Sequence, residues 1–233
     1  MGKKEFAGAS HAPMKSPLAK IERKFIDDNV HRFPDWVGSQ HLTLCTILWS
    51  LGIVLFGFLT KYSIHWLWLS SIMLVLQWFT DSFDGTLGKT RGQDLVKWGY
   101  YMDHFLDFIF IGALIAGYVF VVEAQGSKYW VVLLIPIITA FWANSFLVFG
   151  VTQKFQITQL GIGPTEFRLI FIGLNTLIIL CKALFGFRIF EFFLPAIVFT
   201  SLLCLVVVVY GHSQEIWAID MVEKKKRKME TDK

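Results

Sequence analysis

Six predominantly apolar runs, each about the twenty residues that a helix needs to cross roughly 30 Å of hydrocarbon, limit what this chain can fold into. They fall at residues 41–60, 64–80, 99–122, 129–150, 166–185 and 190–211. A bilayer offers no water to backbone N–H and C=O groups, so apolar runs this long must satisfy them internally, as helices. Of the 233 residues, 55% are hydrophobic and only 17% are charged, less charge than a soluble domain carries. The expected fold is all-α: a polytopic membrane protein of six transmembrane helices.

Six crossings leave both termini on one side, and the basic residues say which. Seven Lys and Arg lie in the N-terminal segment, three in 81–98, two in 151–168 and six in the C-terminal tail, 18 of the 22 in all. Lys61, Lys128, Lys182 and Arg188 occupy the opposite loops. The positive-inside rule then sets both termini and the 81–98 segment in the cytoplasm. No compact apolar region with a small-residue cleavage site precedes residue 41, so the first run is expected to serve for targeting, in a bacterial inner membrane or the endoplasmic reticulum. The net charge of +4 sits in loops and tails rather than on a soluble face with interleaved aromatics, which argues for a membrane surface and against nucleic acid. Cys45, Cys181 and Cys204 lie inside apolar runs without metal-type spacing.

Three regions follow. Residues 1–40 read as a cytoplasmic arm in which Leu18, Ile21 and Phe25 recur at helical spacing beside Lys20, Arg23 and Lys24, the pattern of an amphipathic helix lying in the interface. Residues 41–211 form the six-helix transmembrane domain. Residues 212–233 form a basic cytoplasmic tail containing EKKKRK at 223–228, a topology determinant and an anchor for anionic headgroups.

Between the second and third runs stands DSFDGTLGKTRGQDLVKWGYYMDHFLD, residues 81–107. Ionised carboxylates beside a bilayer are costly unless compensated. Asp81 and Asp84 are three residues apart and Asp103 and Asp107 four apart, so each pair shares one helical face. Two such pairs facing each other gather carboxylates that need a cation, and hard oxygen ligands suit Mg²⁺ or Mn²⁺. Gly85, Gly88, Gly92 and Gly99 allow close backbone approach, and Lys89 and Arg91 can hold a diphosphate. Carboxylates, a divalent metal and cytosolic access point to phosphoryl chemistry.

The same residues form a longer pattern. D81-SF-D84-G85-TL-G88-K89, nine residues, then G99-YYM-D103-HFL-D107 resembles the Asp-x-x-Asp-Gly-x-x-Ala-Arg, spacer, Gly-x-x-x-Asp-x-x-x-Asp signature of the CDP-alcohol phosphotransferase family. The resemblance implies a six-helix integral membrane enzyme, commonly a homodimer. It implies further that Asp81, Asp84, Asp103 and Asp107 bind a pair of divalent metals, that Asp107 is also the base for the acceptor hydroxyl, and that Gly85, Lys89 and Gly99 line the nucleotide and diphosphate site. Gly88 and Lys89 stand where the signature has Ala and Arg, so the cation is kept and the bidentate fork is lost, with Arg91 placed to supply part of that contact.

The activity implied is transfer of a phosphatidyl or phosphoalcohol group from a CDP-linked donor to an alcohol, with release of CMP, in phospholipid synthesis. In GIGPTEFR, residues 161–168, Pro164 suits a helix start, and Glu166 and Arg168 fall where an acceptor headgroup could be read. Neither donor nor acceptor is named by the sequence. Two alternatives use the same residues: a non-catalytic lipid- or nucleotide-binding relative, and a metal-ion transporter. A transporter would place acids near the midplane of repeated halves, whereas these cluster at one edge. His104 faces away from its acidic neighbours and reads as a packing or hydrogen-bonding residue. Gln93 and Asp94 read as solvated loop residues.

Overall fold

Where the apolar runs are free of breakers the chain is helical, and where Gly, Ser and Pro gather it turns. The structure, a computed structural model, describes residues 18–93, 95–153 and 163–231. Asp94, the arm before Leu18 and the start of the 161–168 stretch lie outside the described residues. The described residues form seven α-helices: α1 (Ala19–Asn29), α2 (Ser39–Leu59), α3 (Leu67–Thr90), α4 (Val96–Val121), α5 (Gln125–Thr152), α6 (Pro164–Phe185) and α7 (Ile189–Thr231). Pro164 occupies the first turn of α6, as its fixed φ favours. Gly186 ends that helix at φ 63°, a left-handed conformation that costs glycine nothing.

The protein is an all-α integral membrane protein. Five helices, α2, α4, α5, α6 and α7, are long and apolar enough to cross a bilayer. The second of the six expected spans, α3, has the length at 24 residues but lacks the apolar character. Ser70, Ser71, Gln77, Thr80 and Asp84 are all buried on it, because α3 packs between α2 and α6 and turns its polar stripe inward. Large apolar side chains face outward on the peripheral helices, among them Leu147 and Val151 of α5 and Phe192, Phe199 and Leu203 of α7, as lipid contact requires.

Two boundaries differ from expectation. The second span, expected to end at residue 80, continues as helix through Thr90. Phe83 and Leu87, both buried, continue the apolar stripe of α3 past its aspartates, so burial carries the helix on. At the other end α7 runs for 43 residues without interruption and takes in most of the basic tail.

Packing is tightest where α2 crosses α4. A Cβ on Gly57 would stand 2.7 Å from Gly117 Cα and 2.8 Å from its carbonyl oxygen, so the two backbones touch, as small residues permit between membrane helices. Ile53, Leu74, Phe110, Leu114, Ile179 and Leu194 fill the main core. A polar seam threads it: Tyr118 Oη donates to Asn175 Oδ1 at 2.6 Å, and Asn175 Nδ2 to Ser71 Oγ at 3.0 Å, which joins α4, α6 and α3. A smaller core of Ile26, Val30, Val37, Leu42, Phe83 and Leu87 seats α1 against α3.

At the end of the bundle remote from the aspartates, Glu123 pairs with Lys182 and with Arg188, the latter at 2.5 Å. Glu191 accepts the backbone N–H groups of Glu123 and Ala124 at the start of α5. The hydrogen bond from Lys182, together with the Lys182 and Arg188 charges, holds the Glu123 carboxyl below the usual range.

Candidate functional site

Because α3 continues past residue 80, Asp81 and Asp84 are presented from one regular helix. Asp103 and Asp107, on the early turns of α4, share a face as their spacing requires. Asp81, Asp103 and Asp107 each offer a carboxylate oxygen within 4.8 Å of the others. Asp84 stands beside them, buried, with Thr43 Oγ1 of α2 donating to its Oδ2 at 2.6 Å. All four carboxylates act on one another electrostatically. The structure therefore brings together the four acids named from the sequence, three at the centre and one behind.

Arg168 reaches into the same cluster from α6. It is buried, and its Nη2 donates to Asp81 Oδ2 at 2.7 Å and lies 3.9 Å from Asp107 Oδ1. Its Nε donates to Gln77 Oε1 at 2.5 Å, and Gln77 Nε2 donates to Asp107 Oδ1 at 3.3 Å. Sequence reasoning passed over Gln77 and Thr43. A signal for Gln77 was present, since a glutamine inside the apolar run SIMLVLQWF needs a polar partner in the membrane. Thr43 carried none, because nothing local ties it to an acid on another helix.

The glycines expected at a nucleotide have open surroundings. A Cβ at Gly85 or at Gly99 would meet nothing within 4 Å, whereas at Gly88 it would stand 3.3 Å from Ser39. Lys89 is exposed on the last turn of α3. Arg91, expected on a diphosphate, turns instead to the linker before α2 and donates to the carbonyls of Phe33, Pro34, Asp35 and Val37. Gln93 Oε1 accepts from the Ser39 backbone N–H at 2.9 Å, so the α3–α4 turn is held against the start of α2. Gly92 makes that turn at φ 59°, where a side chain would be strained.

Helix α1 closes one flank. Glu22 accepts from Trp78 Nε1, Ser82 Oγ and Thr165 Oγ1, each at 2.8 Å, and so binds the arm to α3 beside Asp81 and to the first turn of α6. Phe25 stacks on Trp78 with centroids 6.0 Å apart. Glu166, expected near an acceptor, accepts from the backbone N–H of Gly163 at the start of its own helix and from that of Leu18. His104, expected to face away from its acidic neighbours, is buried on α4 beside Tyr100, ring centroids 4.4 Å apart, yet its Nδ1 lies 3.5 Å from Asp103 Oδ2.

The donor set suits a hard divalent cation. Carboxylate oxygens are the ligands that Mg²⁺ and Mn²⁺ prefer, and three of them converge here within 4.8 Å of one another. One guanidinium offsets a single charge among four carboxylates, which leaves the cluster with an excess of negative charge for a cation to balance.

The family model for CDP-alcohol phosphatidyltransferase matches residues 37–208, from the linker before α2 into α7. Comparison with the curated proteins and with the solved structures gave no match. The match takes in most of the chain and every residue of the acidic cluster, and the chain belongs to the CDP-alcohol phosphatidyltransferase family.

Proposed function

We propose that this member of the CDP-alcohol phosphatidyltransferase family, a transferase of phospholipid synthesis, moves a phosphatidyl or phosphoalcohol group from a CDP-linked donor to an alcohol acceptor and releases CMP. The observation that carries the reading is the convergence of Asp81, Asp103 and Asp107 inside the matched span. A divalent cation held by these carboxylates and Asp84, as Mg²⁺ or Mn²⁺ and in a two-metal arrangement, would supply charge neutralisation at the diphosphate and stabilise the departing CMP.

The chain's own residues do the rest. Asp107 takes the proton of the acceptor hydroxyl onto a carboxylate oxygen. The hydroxyl oxygen bonds to the phosphorus that carries the transferred group, the bridging P–O bond to CMP breaks, and CMP leaves with the electron pair. Gly85 and Gly99 let the nucleotide approach backbone closely, and Lys89 is the cation placed on the diphosphate, with Arg91 shaping the turn beside it. Arg168, within 3.9 Å of Asp107, and Glu166 mark the side from which the acceptor arrives.

The basic loops support a cytoplasmic site with both termini in the cytoplasm, so that the nucleotide comes from water while a lipid substrate stays in the bilayer. The arm, residues 1–40, then lies in the interface, residues 41–211 form the catalytic domain and residues 212–233 the basic tail. A homodimer is the assembly proposed. The test is CMP release by purified protein with a panel of CDP-linked donors, diacylglycerol or small polyols, and Mg²⁺ or Mn²⁺. Release with one donor and acceptor pair, lost in Asp107→Asn, establishes the reaction; no release with any pair removes it.

A further inference from the structure

None of these roles uses the hydrogen-bonded path that links the two outer carboxylates. It runs from Asp107 on α4 to Gln77 on α3, from Gln77 to Arg168 on α6, and from Arg168 back to Asp81 on α3. Gln77 has no exposed surface and precedes Asp81 by four residues, so the two stand one turn apart on the same face. Each link has its direction fixed by chemistry. Arg168 can only donate, and its planar fork gives one N–H to Gln77 and another to Asp81. Gln77 must therefore offer its carbonyl oxygen to Arg168, which turns its amide nitrogen toward Asp107.

We propose that Gln77 and Arg168 are positioning residues that set which oxygens Asp81 and Asp107 present to a divalent cation and to the acceptor proton. This rests on the metal-dependent reading above. With Oδ1 of Asp107 held by Gln77 and Oδ2 of Asp81 held by Arg168, each carboxylate has one oxygen tied to this path, which sets how the other is turned. Glutamate at 77 would keep the bond from Arg168 but set a carboxylate against Asp107, and methionine would fill the space while making neither bond. Lysine at 168 keeps the charge, yet a single ammonium lacks the fork that spans Gln77 and Asp81. Partners that orient metal ligands in this way are worth about 10–100-fold in metal affinity or activity when removed.

Mn²⁺ binding to the purified full-length protein, followed by the electron paramagnetic resonance of the free ion, tests this directly. Wild type, Gln77→Met, Gln77→Glu and Arg168→Lys are compared, with kcat, acceptor KM and melting temperature measured on the same preparations. The expected result is Mn²⁺ binding weakened by about 10–100-fold in Gln77→Met and Gln77→Glu, with kcat lowered and acceptor KM changed little. Arg168→Lys should fall between them and wild type. If the Gln77 variants bind Mn²⁺ within about twofold of wild type and only the melting temperature falls, Gln77 is a packing residue and the proposal is overturned. Gln77→Glu, nearly identical in shape, gives the answer if Gln77→Met does not fold. Absence of Mn²⁺ binding by wild type would overturn the metal-site reading along with this one, whereas equal binding by wild type and variants overturns this one alone.

Discussion

Gly57 of α2 and Gly117 of α4 meet backbone to backbone, with room between them for hydrogens only. The contact fixes how far α4 stands from α2, and α4 carries two of the site's aspartates four turns or less before Gly117. Gly57→Ala is expected to force the helices apart and cost about 1–3 kcal/mol, the usual range for overpacking. Thermal unfolding in detergent checks this, and an unchanged melting temperature would show that the crossing can relax.

Asp107→Asn should lower transfer by about 10²–10⁴-fold, the range for losing a general base, while the protein still binds the donor. Its shape and its link to Gln77 are preserved on the carboxamide oxygen side only, so the readouts are CMP release and, separately, binding of a CDP-linked donor. Loss of both together would assign Asp107 to binding alone.

Chelation of divalent cations should abolish turnover, and Mg²⁺ or Mn²⁺ should restore it. Calcium, which prefers longer bonds and more ligands, should restore little. Asp103→Asn, which removes a central ligand, should raise the Mg²⁺ concentration needed for half-maximal rate by on the order of tenfold or more. Activity indifferent to chelation would contradict the use of the cluster as a metal site.

Glu123 makes the remote end of the bundle sensitive to acid. Its carboxyl is held below the ordinary value of 4.5 by Lys182 and Arg188, so its ion pairs contribute stability above that value and lose it as pH falls through the lowered one. With a side chain 41% exposed, the contribution is small and screened by salt. Melting temperatures of wild type and Glu123→Gln should differ most near neutral pH and converge in acid, once the pH is below the lowered value.

Glu22→Ala removes the acceptor that Trp78, Ser82 and Thr165 share. Release of α1 should raise the rate of proteolysis within the arm several-fold and lower stability by about 1–3 kcal/mol, the cost of stranding partly buried donors. Limited proteolysis followed by mass spectrometry locates the first cut, expected before Ser39.

The sequence was most legible where one helix carries the information. Apolar runs predicted the long helices, and the spacings of Asp81 with Asp84 and of Asp103 with Asp107 predicted two acidic faces. Partnerships between helices were hidden. Nothing near Arg168 announces that it serves Asp81, 87 residues away, and nothing near Arg91 announces that it binds four carbonyls of the preceding linker rather than a ligand. The extent of α3 past Asp84 was hidden as well, because it rests on the burial of Phe83 and Leu87 against residues of α1 and α2. The second of the six expected spans falls short in apolar character for a related reason: α3 is polar where neighbouring helices cover it, and a hydropathy argument assumes that lipid does.

That inward polar stripe bears on how the protein is made. A membrane chain is synthesised from its N-terminus, so α2 is already present when α3 emerges. It can at once supply Thr43 to Asp84 and Trp49 to Thr80. Gln77 meets Asp107 once α4 is made, but the α6 partners of Ser71, Gln77 and Asp81, Asn175 and Arg168, arrive only after α5 as well. The helix at the heart of the bundle is thus inserted as half of a hairpin and kept waiting, and the arrival of α6 completes the acidic centre before α7 has been made.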